Sequence, residues 1–304
     1  MWPRWGGRAA ACILGGMSAI IPVYELATLT KEAEKPAAVF FLGPDSAPSH
    51  LPLDRPYRSS YYKIGLCLRG SARLQVNLDT YDIGPGSLMV LSPYVIKQWP
   101  FMSADFEGLS LFFTREFSAT STLSPDSFAF FAHDARHVFP LAPAQAASLT
   151  ALLQTIEQKY AAPHAYREEI LRSLVHILLH ETAPIYSQQH AAATSSQSRS
   201  QLIAADFKQL VNRHYATERG LAFYADKLCI TPKHLAETVK ATTGKRALEW
   251  LAEAVLLEAT VLLQNPALTI GQIADTLHFA DQSAFGRFFR THRGASPASY
   301  RQRM

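Results

Sequence analysis

From Asp281 to the C-terminus the chain carries five arginines, Arg287, Arg290, Arg293, Arg301 and Arg303, against one acid, Asp281. Guanidinium groups stay charged at physiological pH, and their forked donors fit phosphate oxygens or the acceptor edge of a guanine. Such a cluster is a candidate phosphate-facing surface, and is also what a plain solvated face looks like. Other chemistries find less support. Residues 60–118 contain no histidine, and His50, His133 and His137 fall outside the strand-rich core, so a metal centre of clustered imidazoles and a carboxylate is not expected there. Cys12, Cys67 and Cys229 are too scattered for a disulfide framework or a thiolate metal site. There is no phosphate loop, Ser/His/Asp set or Cys-x-x-Cys pair, so neither an enzyme nor a cofactor is expected.

The net charge of +4 over 304 residues is small, but it is unevenly placed. Residues 201–304 hold 13 Lys+Arg and 9 Asp+Glu, whereas the 16 of each sign before them cancel. The elements that would carry this surplus can be read from helix punctuation. Tyr224 to Leu228 is a short helical stretch, Cys229-Ile230 a tight connection, and Thr231-Pro232 an N-cap with proline in the first turn. Leu235 and Val239 supply a buried stripe, and Gly244 ends the helix. The pattern recurs about 50 residues later. Thr269 caps a helix carrying Ile270, Ile273, Ala274 and Leu277. His278-Phe279-Ala280 turns the chain, Asp281 caps a helix with Phe285, Phe288 and Phe289, and Gly294 stops it before Ser296-Pro297. Each unit is a helix-turn-helix. Between them Ala247 to Leu263 has no Gly or Pro and predicts one rod of roughly 26 Å. Such a rod suits two recognition helices in successive major-groove segments about 34 Å apart.

The N-terminal half reads differently. Tyr61–Leu68, Ala72–Leu78 (ending at Asp79-Thr80), Leu88–Leu91 and Leu109–Phe113 are short strands spaced by turn residues, which suggests a small sandwich or barrel. Gln145–Tyr160 and Arg167–Thr182 then show helical spacing. The second stripe (Ile170, Leu171, Leu174, Val175, Ile177, Leu178, Leu179) is wide enough for core packing or for a dimer seam. The polar, low-complexity run 187–200 reads as a linker. Ala9–Ile21, after Arg4 and Arg8, is too short to span a membrane. It lacks a small-x-small cleavage pattern, so Met17 is read as the natural start with residues 1–16 upstream of it or a tail.

Ile270-x-x-Ile273-Ala274, Phe279-x-Asp281-x-Ser283-x-Phe285-x-x-x-Phe289-Arg290, Gly294-x-Ser296-Pro297 and Tyr300-Arg301 together resemble the signature of AraC-type (AraC/XylS family) transcription regulators, over roughly residues 205–302. The resemblance implies an α+β two-domain fold: an N-terminal cupin-like β-barrel with a helical connector, and a C-terminal all-α domain with two helix-turn-helix units joined by a long helix. The expected division is 1–35 tail, 36–140 cupin-like sensor, 141–186 connector or dimerisation helices, 187–200 linker and 201–304 DNA-binding domain. It also implies that the second recognition helix offers Gln282, Ser283, Gly286 and Arg287 to DNA. With Phe285 and Phe289 inward, those four fall on the opposite side of the helix. Gln282 suits an adenine edge, Arg287 guanine or phosphate, and Arg290 a phosphate clamp. The matching face of the first unit is Lys233, His234, Ala236, Glu237 and Lys240.

Three departures stand against the family pattern. Position 237, often arginine, is Glu. The stretch Ala247–Ala280 carries Glu249, Glu253, Glu258 and Asp275 but no Lys or Arg, with Val255 and Thr260 where basic residues are common. His278 replaces the usual turn glycine, at about 1 kcal/mol if it is left-handed. The second unit is therefore expected to dominate affinity. The expected protein is a cytoplasmic regulator with double-stranded DNA, RNA polymerase, a small-molecule effector and a second copy of the chain as partners, and no membrane. Tyr62, Arg73 and Trp99 are candidates for lining the effector pocket. The rival classes are a small-molecule enzyme or binding protein whose helical domain is merely structural, and a protein-interaction module that keeps the fold without DNA affinity.

Overall fold

The computed structural model describes residues 23–26, 39–42, 53–120, 123–132, 135–195 and 198–303. The expected start at Met17 lies outside them. The strands are β1 (Val23–Tyr24), β2 (Val39–Leu42), β3 (Arg58–Ser59), β4 (Tyr62–Arg69), β5 (Ala72–Val76), β6 (Asp79–Ile83), β7 (Ser87–Leu91), β8 (Lys97–Met102), β9 (Glu107–Phe113) and β10 (Val138–Pro140). They build an antiparallel sheet β10-β7-β4-β9-β2, a second antiparallel sheet β6-β5-β8, and the short parallel pair β1–β3. Strands β4 and β7 read as continuous apolar runs because both of their faces are covered. Ile64, Leu66, Leu88 and Val90 pack with helical residues on one side, while Cys67, Met89 and Leu91 pack with residues of the second sheet on the other. His137, expected outside the barrel core, is instead buried beside β7, its Nδ1 3.1 Å from the Val90 carbonyl oxygen.

The helices begin with a single turn, α1 (Arg115–Ser118), followed by α2 (Pro143–Ala161) and α3 (Arg167–Ser195). Leu149, Leu153 and Ile156 of α2 and Leu171, Val175 and Leu178 of α3 close the core against the five-stranded sheet. The run expected as a linker is helical through Ser195, and α4 (Arg199–His214) begins four residues later. The reason is local: Gln188, Gln189 and the alanines that follow are good helix formers, and a polar run propagates a helix that is already nucleated. A second difference lies at the β5–β6 hairpin. Leu78 reads as the last apolar residue of a strand, but the turn is Asn77-Leu78, with Asn77 left-handed (φ 51°) and Val76 opposite Asp79. Leu78 is apolar because it inserts among Trp250, Leu251 and Phe207 of the C-terminal region.

That region continues with α5 (Leu221–Lys227), α6 (Pro232–Thr243), α7 (Ala247–Leu263), α8 (Ile270–Thr276), α9 (Gln282–Arg293) and α10 (Pro297–Arg303). It has two small cores. Phe207, Val211, Tyr224, Leu235 and Val239 fill the first, and Leu262, Ile273, Ala274, Phe285 and Phe289 fill the second. The caps sit where the punctuation places them. Thr231, Thr269 and Asp281 accept hydrogen bonds from the amides of His234 (3.2 Å), Gln272 (3.1 Å) and Ala284 (2.6 Å). Helices α6 and α9 end on Gly244 and Gly294, both left-handed (φ 73° and 71°), where a side chain would be strained.

Candidate nucleic-acid interface

The two helical hairpins are built by the same turn. In the first, the Cys229 amide donates to the Asp226 carbonyl and the Ile230 amide to that of Ala225, both at 3.0 Å. In the second, the amides of His278 and Phe279 donate to the carbonyls of Asp275 and Ala274, both at 2.9 Å. Cys229 and His278 are correspondingly left-handed, at φ 53° and 52°. This conformation costs a non-glycine residue roughly 1–2 kcal/mol, and the flanking buried residues Ala225 and Ala274 hold it in place.

The turns aim α6 and α9 so that their inner faces fill the cores and their outer faces remain open. On α6, Leu235 and Val239 are fully buried, whereas Lys233, His234, Glu237 and Lys240 are exposed and Ala236 is partly exposed. On α9, Phe285 and Phe289 are fully buried, while Gln282, Ser283, Arg287 and Arg290 are exposed. Gly286 lies between them, and a Cβ built there meets nothing within 4 Å. The guanidinium groups of Arg287 and Arg290 make no ion pair or hydrogen bond among the described residues. One arginine of the C-terminal cluster does not belong to this face. Arg301 turns inward and its Nε donates to the Leu263 carbonyl at 3.0 Å, so it caps the end of α7.

A family model described as a helix-turn-helix domain matches residues 224–303. The Msm operon regulatory protein of Streptococcus mutans is 23% identical over 247 residues, covering 79% of this chain and 84% of that protein. The arabinose operon regulatory protein of Salmonella typhimurium is 23% identical over 256 residues, covering 82% and 86%. Among solved structures, an AraC-type transcriptional regulator from Chromobacterium violaceum aligns with 34% of this chain and 92% of its own, at 21% identity and a TM-score of 0.31. ToxT from Vibrio cholerae aligns with 87% and 95%, at 16% identity and a TM-score of 0.34. Residues 224–303 form a helix-turn-helix domain.

Within this domain Glu249, Glu253 and Glu258 of the connecting segment have structural employment. Glu249 accepts from the Arg246 amide at 2.9 Å, and Glu253 pairs with Lys245. Glu258, only 6% exposed, receives both guanidinium nitrogens of Arg58 at 2.8 Å and the Tyr215 hydroxyl at 2.6 Å. Burial, and then the Glu258 charge, push the Tyr215 hydroxyl far above its ordinary range, so it remains a donor. Val255 and Thr260 are both buried, which accounts for the missing basic residues there. The N-terminal domain covers this helix, where Ile96 packs on Leu257 and Val261 and Gln264 donates to the Pro56 carbonyl at 2.6 Å, and it also meets α4, where Lys208 reaches Asp79 at 3.1 Å. Arg219 joins the two units directly. It donates to the Leu277 carbonyl, and its guanidinium lies 3.8 Å from the centre of the Phe279 ring. No spacing rule in the sequence marks that contact.

The three residues expected to line an effector pocket are not brought together. Tyr62 is on the helix-facing side of β4, stacked on Phe113 with its hydroxyl on Asp126. Arg73 is on the solvent side of β5, paired with Asp82 at 2.9 Å. Only Trp99 lies between the sheets, with Nε1 donating to the Tyr57 hydroxyl at 3.3 Å. Among the described residues, Lys63 and Lys97 extend toward the aromatic rings on this side, near Trp99 and Tyr61. The signal was period-two alternation, which places Lys63 on the same face as Gly65 and Cys67 and sets Lys97 opposite Ile96. No helix among the described residues is long and apolar enough to cross a membrane.

Proposed function

We propose that the chain is a sequence-specific, DNA-binding transcription regulator of the AraC type. Double-stranded DNA would dock on the outer faces of α6 and α9, and an N-terminal cupin-like barrel would respond to a small molecule. The carrying observation is the pair of helix-turn-helix units built on the same turn, whose outward faces hold arginines and lysines with no carboxylate partner among the described residues. Both curated relatives named above are operon regulators by name and match about four-fifths of this chain, which supports the reading. Gln282, Ser283, Gly286 and Arg287 would read bases, with Arg290 on phosphate. Lys233, His234, Ala236, Glu237 and Lys240 would form the weaker face. The division proposed is a sensor at 36–140, connector helices at 141–186 and a DNA-binding domain from 201.

A homodimer through α3, where Ile177 is 48% exposed beside the buried Leu171, Val175, Leu178 and Leu179 of the same apolar stripe, would present two such domains to DNA, with RNA polymerase recruited nearby and the cytoplasm as the site of action. The reading of a module without DNA affinity loses one of its grounds, because the acidic connecting helix serves the domain seam. Binding to genomic fragments as a function of salt tests the proposal. A steep fall of log affinity with log salt supports it, and no binding at low salt by a folded protein overturns it.

A further inference from the structure

A cleft of about 860 Å³ opens where the β5–β6 hairpin and the end of α3 face α4 and the C-terminal end of α6. Its size is that of a small-molecule site, and it lies between the two domains rather than inside the barrel. The Lys208–Asp79 pair crosses it. Arg136, just before β10, stands on the N-terminal wall, and Asp206 of α4 stands on the helical wall; both are exposed. The Arg136 Nε donates to the Val138 carbonyl at 3.0 Å, and its guanidinium has no carboxylate partner among the described residues. The Asp206 carboxylate has no cationic partner among them either. Two opposite charges on the two walls of one cleft therefore do not close on each other. Asn212 of α4 lines the same cleft. It is 8% exposed, and its amide makes no hydrogen bond among the described residues. A buried amide without a partner is unfavourable, and an apolar side chain of the same size would avoid that cost.

We infer that this cleft is a binding site for a small zwitterion, a free amino acid or short peptide. Its carboxylate would be held by Arg136, its ammonium by Asp206 and its remaining polar atoms by the Asn212 amide. The charges decide the class. Arg136 and Lys208 balance Asp79 and Asp206, so a polyanion or a polycation gains nothing, whereas a ligand with one charge at each end satisfies both walls. Room for its body comes from small residues, Ala132, Ala135 and Ala205. A ligand held by a different domain at each end binds only while the two are closed on each other. It therefore favours the closed seam in which Arg58 grips Glu258. The site does not depend on the reading of the chain as a DNA-binding regulator.

The test is thermal unfolding of the full chain with the standard amino acids, glycylglycine and alanylalanine, each beside its N-acetyl and its C-terminal amide form. At least one zwitterion should raise the Tm by roughly 3 °C at about ten times its Kd, with both blocked forms inert. In calorimetric titration its affinity should fall about tenfold or more in Arg136→Gln and in Asp206→Asn, since each removes a charged hydrogen-bond partner. Both positions are exposed, so these variants fold. Asn212→Leu should keep or raise the Tm of the protein alone and lose the response. The site is overturned if no zwitterion shifts the Tm, if a blocked form matches its parent, or if either charge variant binds like the wild type. DNA binding without any zwitterion shift sinks the site alone, and a zwitterion shift in a protein that binds no DNA at low salt sinks the regulator alone.

Discussion

Removing the Arg58 guanidinium strands the Glu258 carboxylate in the seam between the two domains. The side chains are 16% and 8% exposed and joined by two parallel hydrogen bonds of 2.8 Å. Two unit charges about 4 Å apart interact by roughly 4 kcal/mol at an effective dielectric of about 20. Desolvation offsets part of that for the pair, but a single truncation keeps the penalty and loses the attraction, for about 3 kcal/mol. The Tyr215 hydroxyl remains on Glu258 and softens the loss, so Arg58→Met is expected to destabilise by about 2–3 kcal/mol. Arg58→Met with Glu258→Met should cost less than the two single changes together, because no charge is left buried. The assay is denaturant unfolding of the wild type, both single variants and the double variant. A coupling energy of about 2 kcal/mol is expected from the cycle. A coupling below about 0.5 kcal/mol would refute the reasoning, because it would place the pair in solvent-like surroundings with the seam open.

Arg287→Ala should weaken DNA binding by about 1–3 kcal/mol and relax base preference, as read by competition footprinting. Arg301→Ala should leave the salt slope of binding unchanged and lower the Tm instead, since that arginine caps α7. Gly286→Ala should keep or slightly raise stability, because the Cβ meets open space and alanine favours a helix by about 1 kcal/mol, while weakening DNA binding in gel-shift titrations. Glu237→Ala should bind DNA as well as or better than the wild type, since an exposed carboxylate on that face repels phosphate. Folding lowers the Lys97 pKa from its ordinary 10.5 to about 7, so the unfolded chain holds more protons between those values. Stability should therefore rise with pH across that window, by at most about 1.4 kcal/mol per unit from this group. Lys63, lowered to about 8, adds in the same direction, whereas the facing Tyr57 and Tyr61 are raised by burial and stay neutral. Lys97→Met should flatten the profile in urea titrations at stepped pH.

The C-terminal domain was legible because its determinants are local. A cap, a proline in the first turn, a stripe at helical spacing and a terminal glycine each act within one or two turns of chain. Thr231, Asp281, Gly244 and Gly294 did in space what their types imply. The left-handed turn at His278, by contrast, was suggested only by the glycine that the resembled family has there. The same locality misled at residues 187–200, where polarity suggested a linker although Gln and Ala favour continuing α3.

What the linear chain could not disclose depends on partners far away in sequence. Glu258 looked like a flaw in a DNA-facing helix until Arg58, 200 residues earlier, came to lie against it. Leu78 looked like a strand residue until the first helical unit enclosed it, and Arg301 looked like a phosphate ligand until the end of α7 met it. Lys63 and Lys97 were passed over because an isolated lysine in a strand ordinarily faces water, and only closure of one sheet over the other turns both inward. Helix caps and spacing are settled by neighbours along the chain. Burial of a charge is settled by whatever folds over it, and that is a property of the tertiary structure alone.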